Sequence, residues 1–415
     1  MRAAMPATNE GASVHRRVRD RITLDSCKTM LIELVKVPSP QTVLMEDEPL
    51  LKRFISGEVE PRLRKMGFSD IQYDAMGNLY SAYGAGTSGR SLMLITNAMN
   101  QPQATMTRAY QGDVAGGEPY GLPGEVVLGK GASEQKSNMA AMFVAMESVV
   151  ASGVPITGRL VHLCCLSGET GKHDAIKSLV EATGATAEMA FLGGTSLKLS
   201  LGNRGRLDVF INVRGRSVHS SGPKNGCNAI TGAMEVLRSL ESLDLRRRDA
   251  RVGDQALTVN RIRSFPESTH TIQDRCEITL DRRLLPGEDP DAAFAEIEKI
   301  AMEVDGKPDP VSGQAFHVEV VKGPFMYPSM VEPGAGIVKF LDSTCDEVLG
   351  APPEHIYAPN AFDQGYLNHI GIPTVNWGPG EYDYAHTDLD MASVERVRDA
   401  ARVFATLLIS HLSEG

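Results

Sequence analysis

The sequence predicts an α/β fold with a mostly parallel sheet, interrupted by an inserted βαββαβ unit. Three observations carry this. The apolar run Leu160 to Leu166 suits a strand covered on both faces. Helical spacing over Leu24–Val37 and Glu48–Met66 leads into the short strand patterns Ile71–Tyr73, Leu79–Ala82 and Leu92–Thr96. Beyond residue 205 the rhythm changes to strand, helix, strand, strand, helix, strand, ending near Val321. At 415 residues, 42% of them hydrophobic, the chain exceeds the ~250–300 residues of one core, so two domains are expected.

In order, residues 1–20 are polar and arginine-containing and are expected to be a disordered N-terminus. Residues 21–205 with 323–415 are expected to form a discontinuous α/β domain, and 206–322 an inserted second domain. Ser137–Val149 repeats apolar residues at helical spacing, and a helix follows Gly171 up to Val180. Within the insertion, Leu207–Val213, Ala256–Ile262, Cys276–Leu284 and Phe316–Val321 read as strands, and Cys227–Leu243 and Asp291–Val304 as helices. Gly336–Leu349 and Ser393–Leu412 are helical, with Thr374–Trp377 a strand between them. Gln101–Gly124, rich in Gly and Pro, shows no period and reads as a functional loop.

Lys and Arg total 42 against 52 Asp and Glu, a net charge of -10, which gives no footprint for nucleic acid or anionic lipid. Small molecules are the expected partners. No run reaches the ~20 apolar residues of a membrane span, and the start lacks the apolar core of a secretion signal, so a cytoplasmic protein is expected. The six cysteines form no CxxC pair, and Cys164-Cys165 falls in an apolar strand, so reduced, buried thiols are expected. Phosphate-loop, Gly-x-Ser-x-Gly and dinucleotide patterns are absent.

Three loops carry candidate chemistry. Gly129-Lys130-Gly131-Ala132-Ser133-Glu134-Gln135-Lys136 places a carboxylate in a glycine-rich turn beside a buried helix; taken alone it reads first as an ordinary acidic helix entry, and a metal ligand is the alternative. Ser167-Gly168-Glu169-Thr170-Gly171 follows the apolar strand, where α/β sheets keep their sites. Gly378-Pro379-Gly380 leads through Tyr384 to His386.

With these pieces in order, the chain resembles the family of aminoacylases, carboxypeptidase G, acetylornithine deacetylase and succinyl-diaminopimelate desuccinylase, dinuclear zinc enzymes that cleave amide bonds. The resemblance runs from about Leu24 to Leu412. Its most specific parts are Arg214–Pro223 with Ser217-Val218-His219, Gly226–Ile230, Asp281-Arg282-Arg283-Leu284-Leu285-Pro286-Gly287, and Gly371 through Gly378-Pro379-Gly380 to His386. It implies a zinc-peptidase-like α/β catalytic domain with an inserted ferredoxin-like dimerisation domain, and hence a homodimer through residues 206–322.

The resemblance also implies a degenerate metal site. The family's His-x-Asp falls on Asn97-Ala98-Met99, its general-base Glu on Gly168, and a later acidic ligand on Gly194. One ligand set survives as Glu134, Glu169 and His386, enough for one divalent ion, zinc or similar, or for acid–base work without metal. His219 is implied as donor to the scissile carbonyl, and Asn260 with Arg283 as a clamp for a substrate carboxylate. Asn360 and Asp363 fall in the altered pre-helix motif and are implied to line the substrate. The implied activity is hydrolysis of a C–N bond in a small carboxylate-bearing substrate; a metal-free enzyme or a non-catalytic binding protein are the alternatives.

Overall fold

The computed structural model describes residues 9–168 and 170–413. They fall into two compact units, Met1–Leu201 with Val331–Ile356 and Tyr366–Gly415, and Gly202–Met330 with Tyr357–Gly365. The second unit is therefore wider than 206–322 and takes in the segment carrying Asn360 and Asp363.

The helices are α1 (Asn9–Arg21), α2 (Leu24–Val35), α3 (Pro49–Phe54), α4 (Glu60–Lys65), α5 (Ser137–Ala151), α6 (Asp174–Thr183), α7 (Ala229–Leu240), α8 (Pro290–Met302), α9 (Gly336–Leu349), α10 (Gln364–His369) and α11 (Val394–Leu412). Strands β1 (Asp70–Tyr73), β2 (Leu79–Tyr83), β3 (Ser91–Asn97), β4 (Asp113–Gly116), β5 (Glu125–Leu128), β6 (Arg159–Cys165), β7 (Met189–Leu192) and β8 (Leu199–Asn203) precede the insertion. Then come β9 (Gly205–Arg214), the minor β10 (Arg248–Asp249) and β11 (Gly253–Asp254), β12 (Ala256–Phe265), β13 (Arg275–Leu284) and β14 (His317–Met326). The chain closes with β15 (Ser329–Met330), β16 (His355–Ala358), β17 (Thr374–Asn376) and β18 (Met391–Ser393).

In the first unit the sheet runs β1-β2-β6-β3-β7-β17-β8. Its centre is parallel, with β6, β3, β7 and β17 all aligned. β6 is buried along Leu160–Cys165, as its unbroken apolar run requires. α5 is buried from Ser137 to Met146, and Phe143 meets the ring of His162 on β6 edge-on. α11 packs beside α5 and brings Phe404 against Trp377, both inaccessible to solvent.

The second unit is one four-stranded antiparallel sheet in the order β12-β13-β9-β14, with α7 and α8 packed on it. β9 alternates buried and partly exposed residues, placing Leu207, Val209, Ile211 and Val213 in a core with Val236 and Ile297. This is the ferredoxin-like arrangement that the strand and helix pattern predicted.

Two expectations need correction. Residues 9–21 are helix α1, not a disordered stretch, because Val18 and the adjoining Ile22 are buried and Arg19 reaches Glu347 at 2.6 Å. Residues 1–8 lie outside the described residues. Gln101–Gly124 is not wholly irregular, since β4 pairs with β5 inside a three-stranded sheet closed by β18. Among the described residues no helix is long and apolar enough to cross a membrane. All six cysteines are free and buried.

Candidate active site

Four parallel strands end at one edge of the sheet, and the candidate residues of the first unit sit there. Asn97 ends β3, Gly168 follows β6, Gly193-Gly194 follow β7, and Gly378–Gly380 follow β17. Loops at such an edge are unconstrained by strand pairing, which is why α/β sheets hold their sites there.

Glu134 lies in a single π turn, Ala132–Lys136, immediately before α5. One-turn π segments are uncommon and concentrate at functional sites. The turn starts from Gly131 at φ 83, where a Cβ would also come within 2.6 Å of Asn100. The buried carboxylate of Asp390 secures it by accepting from the Gly131 and Ser133 amides at 2.7 and 2.9 Å. Burial pushes the Asp390 carboxyl up to about 6, against the pull of those amides. Lys130 donates to the Thr387 carbonyl at 2.6 Å, and Glu381 N–H donates to Ser133 O at 3.2 Å. The loops 129–136 and 378–390 are thus bound to each other at several points.

His386 stands on the second loop and faces Glu134, with Nε2 3.1 Å from the carboxylate. Its backbone has φ 62, a left-handed conformation that costs a non-glycine residue energy. Ser196 and Leu197, on the loop after Gly194, share that conformation at φ 55 and 61, so local strain gathers at this edge. The side chains of Glu134 and His386 are 25% and 53% exposed, open enough for a substrate to meet them.

Gly194 has no side chain to offer, and Asn97 offers only a carboxamide. A Cβ on Gly168 would lie 2.3 Å from Asn97 Nδ2, so the Asn97 carboxamide fills the space that a side chain at 168 would need. Gly194, at φ 92, lies against the backbone of Glu134, 3.3 Å from its carbonyl to the place of a Cβ. Met99 is wholly buried. Among the described residues, no three His, Cys, Asp or Glu side chains come together, and Glu169 lies outside the described residues. The adjacent carboxylate and imidazole are two-thirds of a one-ion donor set.

Lys136 is fully buried, 2.6 Å from Ser39 Oγ and 3.2 Å from the Ala98 carbonyl, over the Phe54 ring. Burial holds its amine well below the usual lysine range. Its role is to lock Ser39 and β3's end to the π turn.

The remaining candidates belong to the second unit. His219 is exposed, and its Nδ1 accepts from the Ser221 amide at 3.2 Å, which leaves the neutral ring's proton on Nε2, suited to donation. Asn260 sits where the β12–β13 register slips between Val259 and Arg261, a bulge that re-aims an exposed side chain. Arg283 is a fork on Asp281, at 2.8 and 3.1 Å, so part of its donor capacity is already used. Asn360 is exposed and Asp363 buried. Sequence reasoning missed Asp390 and Glu46. No motif spacing marks either, since their partners lie 121 or more residues away in the chain.

A mostly parallel sheet with candidate loops at one edge, together with a ferredoxin-like insertion, defines a peptidase-like α/β architecture. Residues 201–308 match the M20 family described as "Peptidase dimerisation domain". YgeY of Escherichia coli K12, named only as uncharacterised, is 26% identical over 404 residues, covering 92% of this chain and 94% of that one. Succinyl-diaminopimelate desuccinylase of Phenylobacterium zucineum is 25% identical over 399 residues, covering 92% and 97%. The M20 family metallo-carboxypeptidase Sso-CP2 of Sulfolobus solfataricus superposes with TM-score 0.70 at 16% identity, covering 92% and 98%. The chain thus carries an M20 dimerisation domain at residues 201–308 and is similar over about nine-tenths of its length to relatives that include a desuccinylase.

Proposed function

We propose that the protein is an amidohydrolase acting on a C–N bond of a small carboxylate-bearing substrate, with Glu134 and His386 at its chemical centre. The observation that carries this is their 3.1 Å contact at the sheet edge; the resemblance, which puts Asn97 and Gly194 at the private positions of a second ion, supports a single-ion reading. Glu134, His386 and Glu169 would hold at most one divalent ion, zinc or similar. When bound, such an ion polarises the scissile carbonyl.

The chain's own groups account for the rest of the chemistry. With Gly168 unable to accept a proton, the Glu134 carboxylate would take it from the attacking water when no ion is held between the pair, and a proton on His386 Nε2 would then orient that carboxylate. His219 Nε2–H would donate to the developing oxyanion, an interaction worth ~2.7–4 kcal/mol. Asn260 and the remaining donors of Arg283 would hold the substrate carboxylate, with Asn360 and Asp363 lining the pocket. The second unit would mediate homodimerisation. The direct Glu134–His386 contact also supports a metal-free version, in which the pair does acid–base work alone.

Elemental analysis of protein purified without added metal, beside Glu169→Ala and His386→Ala, tests this. About one ion per chain, lost in both variants, is expected. Two ions per chain would sink the assignment of Asn97 and Gly194. Absence of metal together with turnover of N-acyl amino acids would select the metal-free version, and absence of both would leave a binding protein.

A further inference from the structure

We infer that Glu46 is a positioning residue for this centre, fixing the loop 167–172 from outside it; this rests on the single-ion reading above. Glu46 is 5% exposed, and a carboxylate withdrawn so far from water must be matched by donors. It finds them all on one loop. Oε1 accepts from Ser167 Oγ at 2.9 Å and Thr170 Oγ1 at 3.0 Å, and Oε2 pairs with Lys172 Nζ at 3.2 Å. Lys172 also meets Asp174 Oδ2 at 2.7 Å, at the start of α6. The donors thus bracket Gly168 and Glu169 on both sides.

The loop needs such an anchor. Ser167, Gly168 and residues 170–173 belong to no helix or strand, so no backbone ladder fixes them.

Glu46 is itself held by built structure. It sits in the 3-10 turn Met45–Asp47, entered through Met45 at φ 51, a conformation unfavourable for a long side chain. On one side Ser39 binds Asn100 and Lys136, and on the other Glu48 takes Thr42 Oγ1 at 2.8 Å and caps α3 through the Leu50 amide. Residues 39–48 therefore brace the π turn of Glu134, through Lys136, against the loop that carries Glu169.

The test uses the full chain with Glu46→Ala and Glu46→Gln. Zn2+ affinity is measured by competition with a chelating dye, and amide hydrogen exchange is followed over 166–173. Glu46→Ala should weaken Zn2+ binding about tenfold or more, as loss of a supporting group around a metal ligand does, and speed exchange in that segment while distant segments keep their protection. Glu46→Gln keeps an acceptor for Ser167 and Thr170 and should lose about threefold or less. Zn2+ affinity unchanged in Glu46→Ala would overturn the inference, as would a loss spread evenly over the whole molecule. Should Glu46→Ala fail to fold, Lys172→Met and Glu46→Gln carry the same comparison. If the wild type binds no Zn2+, the single-ion reading fails on its own, and exchange decides: faster exchange confined to 166–173 supports the positioning role, and unchanged exchange overturns it.

Discussion

The Asn97 carboxamide occupies the space above Gly168: a Cβ on residue 168 would fall 2.3 Å from its Nδ2 and 2.8 Å from its Cγ. Gly168 does not need to be glycine for its backbone, because it is not among the residues with left-handed φ. A side chain there would have to displace the Asn97 carboxamide. Gly168→Ala is expected to cost about 1–3 kcal/mol by overpacking, and the cost should shrink by about 1 kcal/mol or more in an Asn97→Ala background. Urea denaturation of the two singles and the double measures this. Equal costs in both backgrounds would dissolve the pairing, and a base restored at 168 alone meets the same obstruction.

Gly380 is held more tightly still. At φ 119, its Cβ would lie 1.8 Å from the Ser133 carbonyl oxygen, a backbone atom that cannot rotate away. Gly380→Ala should cost more than about 3 kcal/mol and separate the loops carrying Glu134 and His386. Gly350, at φ 86 with nothing within 4 Å of a Cβ, provides the comparison, where Ala should cost only about 1 kcal/mol. Matching thermal shifts for the two variants would refute the close-approach argument.

Removing either member of the Glu134–His386 pair should abolish chemistry without unfolding the protein, since both side chains are partly exposed. Glu134→Gln and His386→Ala should each lower turnover about a hundredfold or more. The double variant should fall little further, because groups acting as a unit are not additive. Single-variant kinetics beside the double decides it, and multiplicative losses would mean the two act separately.

Two buried groups give stability opposite pH dependences. Burial between Ser81 and Thr96 lowers the His162 imidazole to about 3, against 6.5 for an unperturbed side chain. Its contribution is present above pH 6.5 and is lost as pH falls through that window, by up to about 1.4 kcal/mol per unit. Asp390, raised to about 6 from 3.8, behaves the other way: its contribution is full below 3.8 and is lost as pH rises through 6. Unfolding free energies from pH 4 to 8 should therefore fall less steeply toward acid in His162→Gln than in wild type, and more steeply in Asp390→Asn. Parallel curves would rule out this linkage.

Periodicity carried much of the fold. The buried run of β6, the apolar spacing of α5 and the alternation of β9 all wrote their surroundings into local sequence. α1 did not, because its polar surface hides one buried stripe through Val18 that only the folded unit supplies. The pairing of Glu134 with His386, 252 residues apart, was legible solely through resemblance to known motifs. Glu46 and Asp390 were invisible: an acid in a loop looks the same whether water or a distant amide receives it, and only the fold chooses.

The placement of α11 also sets an order for synthesis. The second unit's sheet and helices come from the nearly continuous stretch Gly202–Met330, so its core is whole as soon as that stretch has left the ribosome. α5, made earlier, must wait. Its apolar surface from Met139 to Met146 is covered in part by α11, and Gly158 N–H, beside β6, donates to the Leu412 carbonyl at 2.8 Å. Until that last helix emerges, the face of α5 that it covers, next to the turn of Glu134, stays open to solvent.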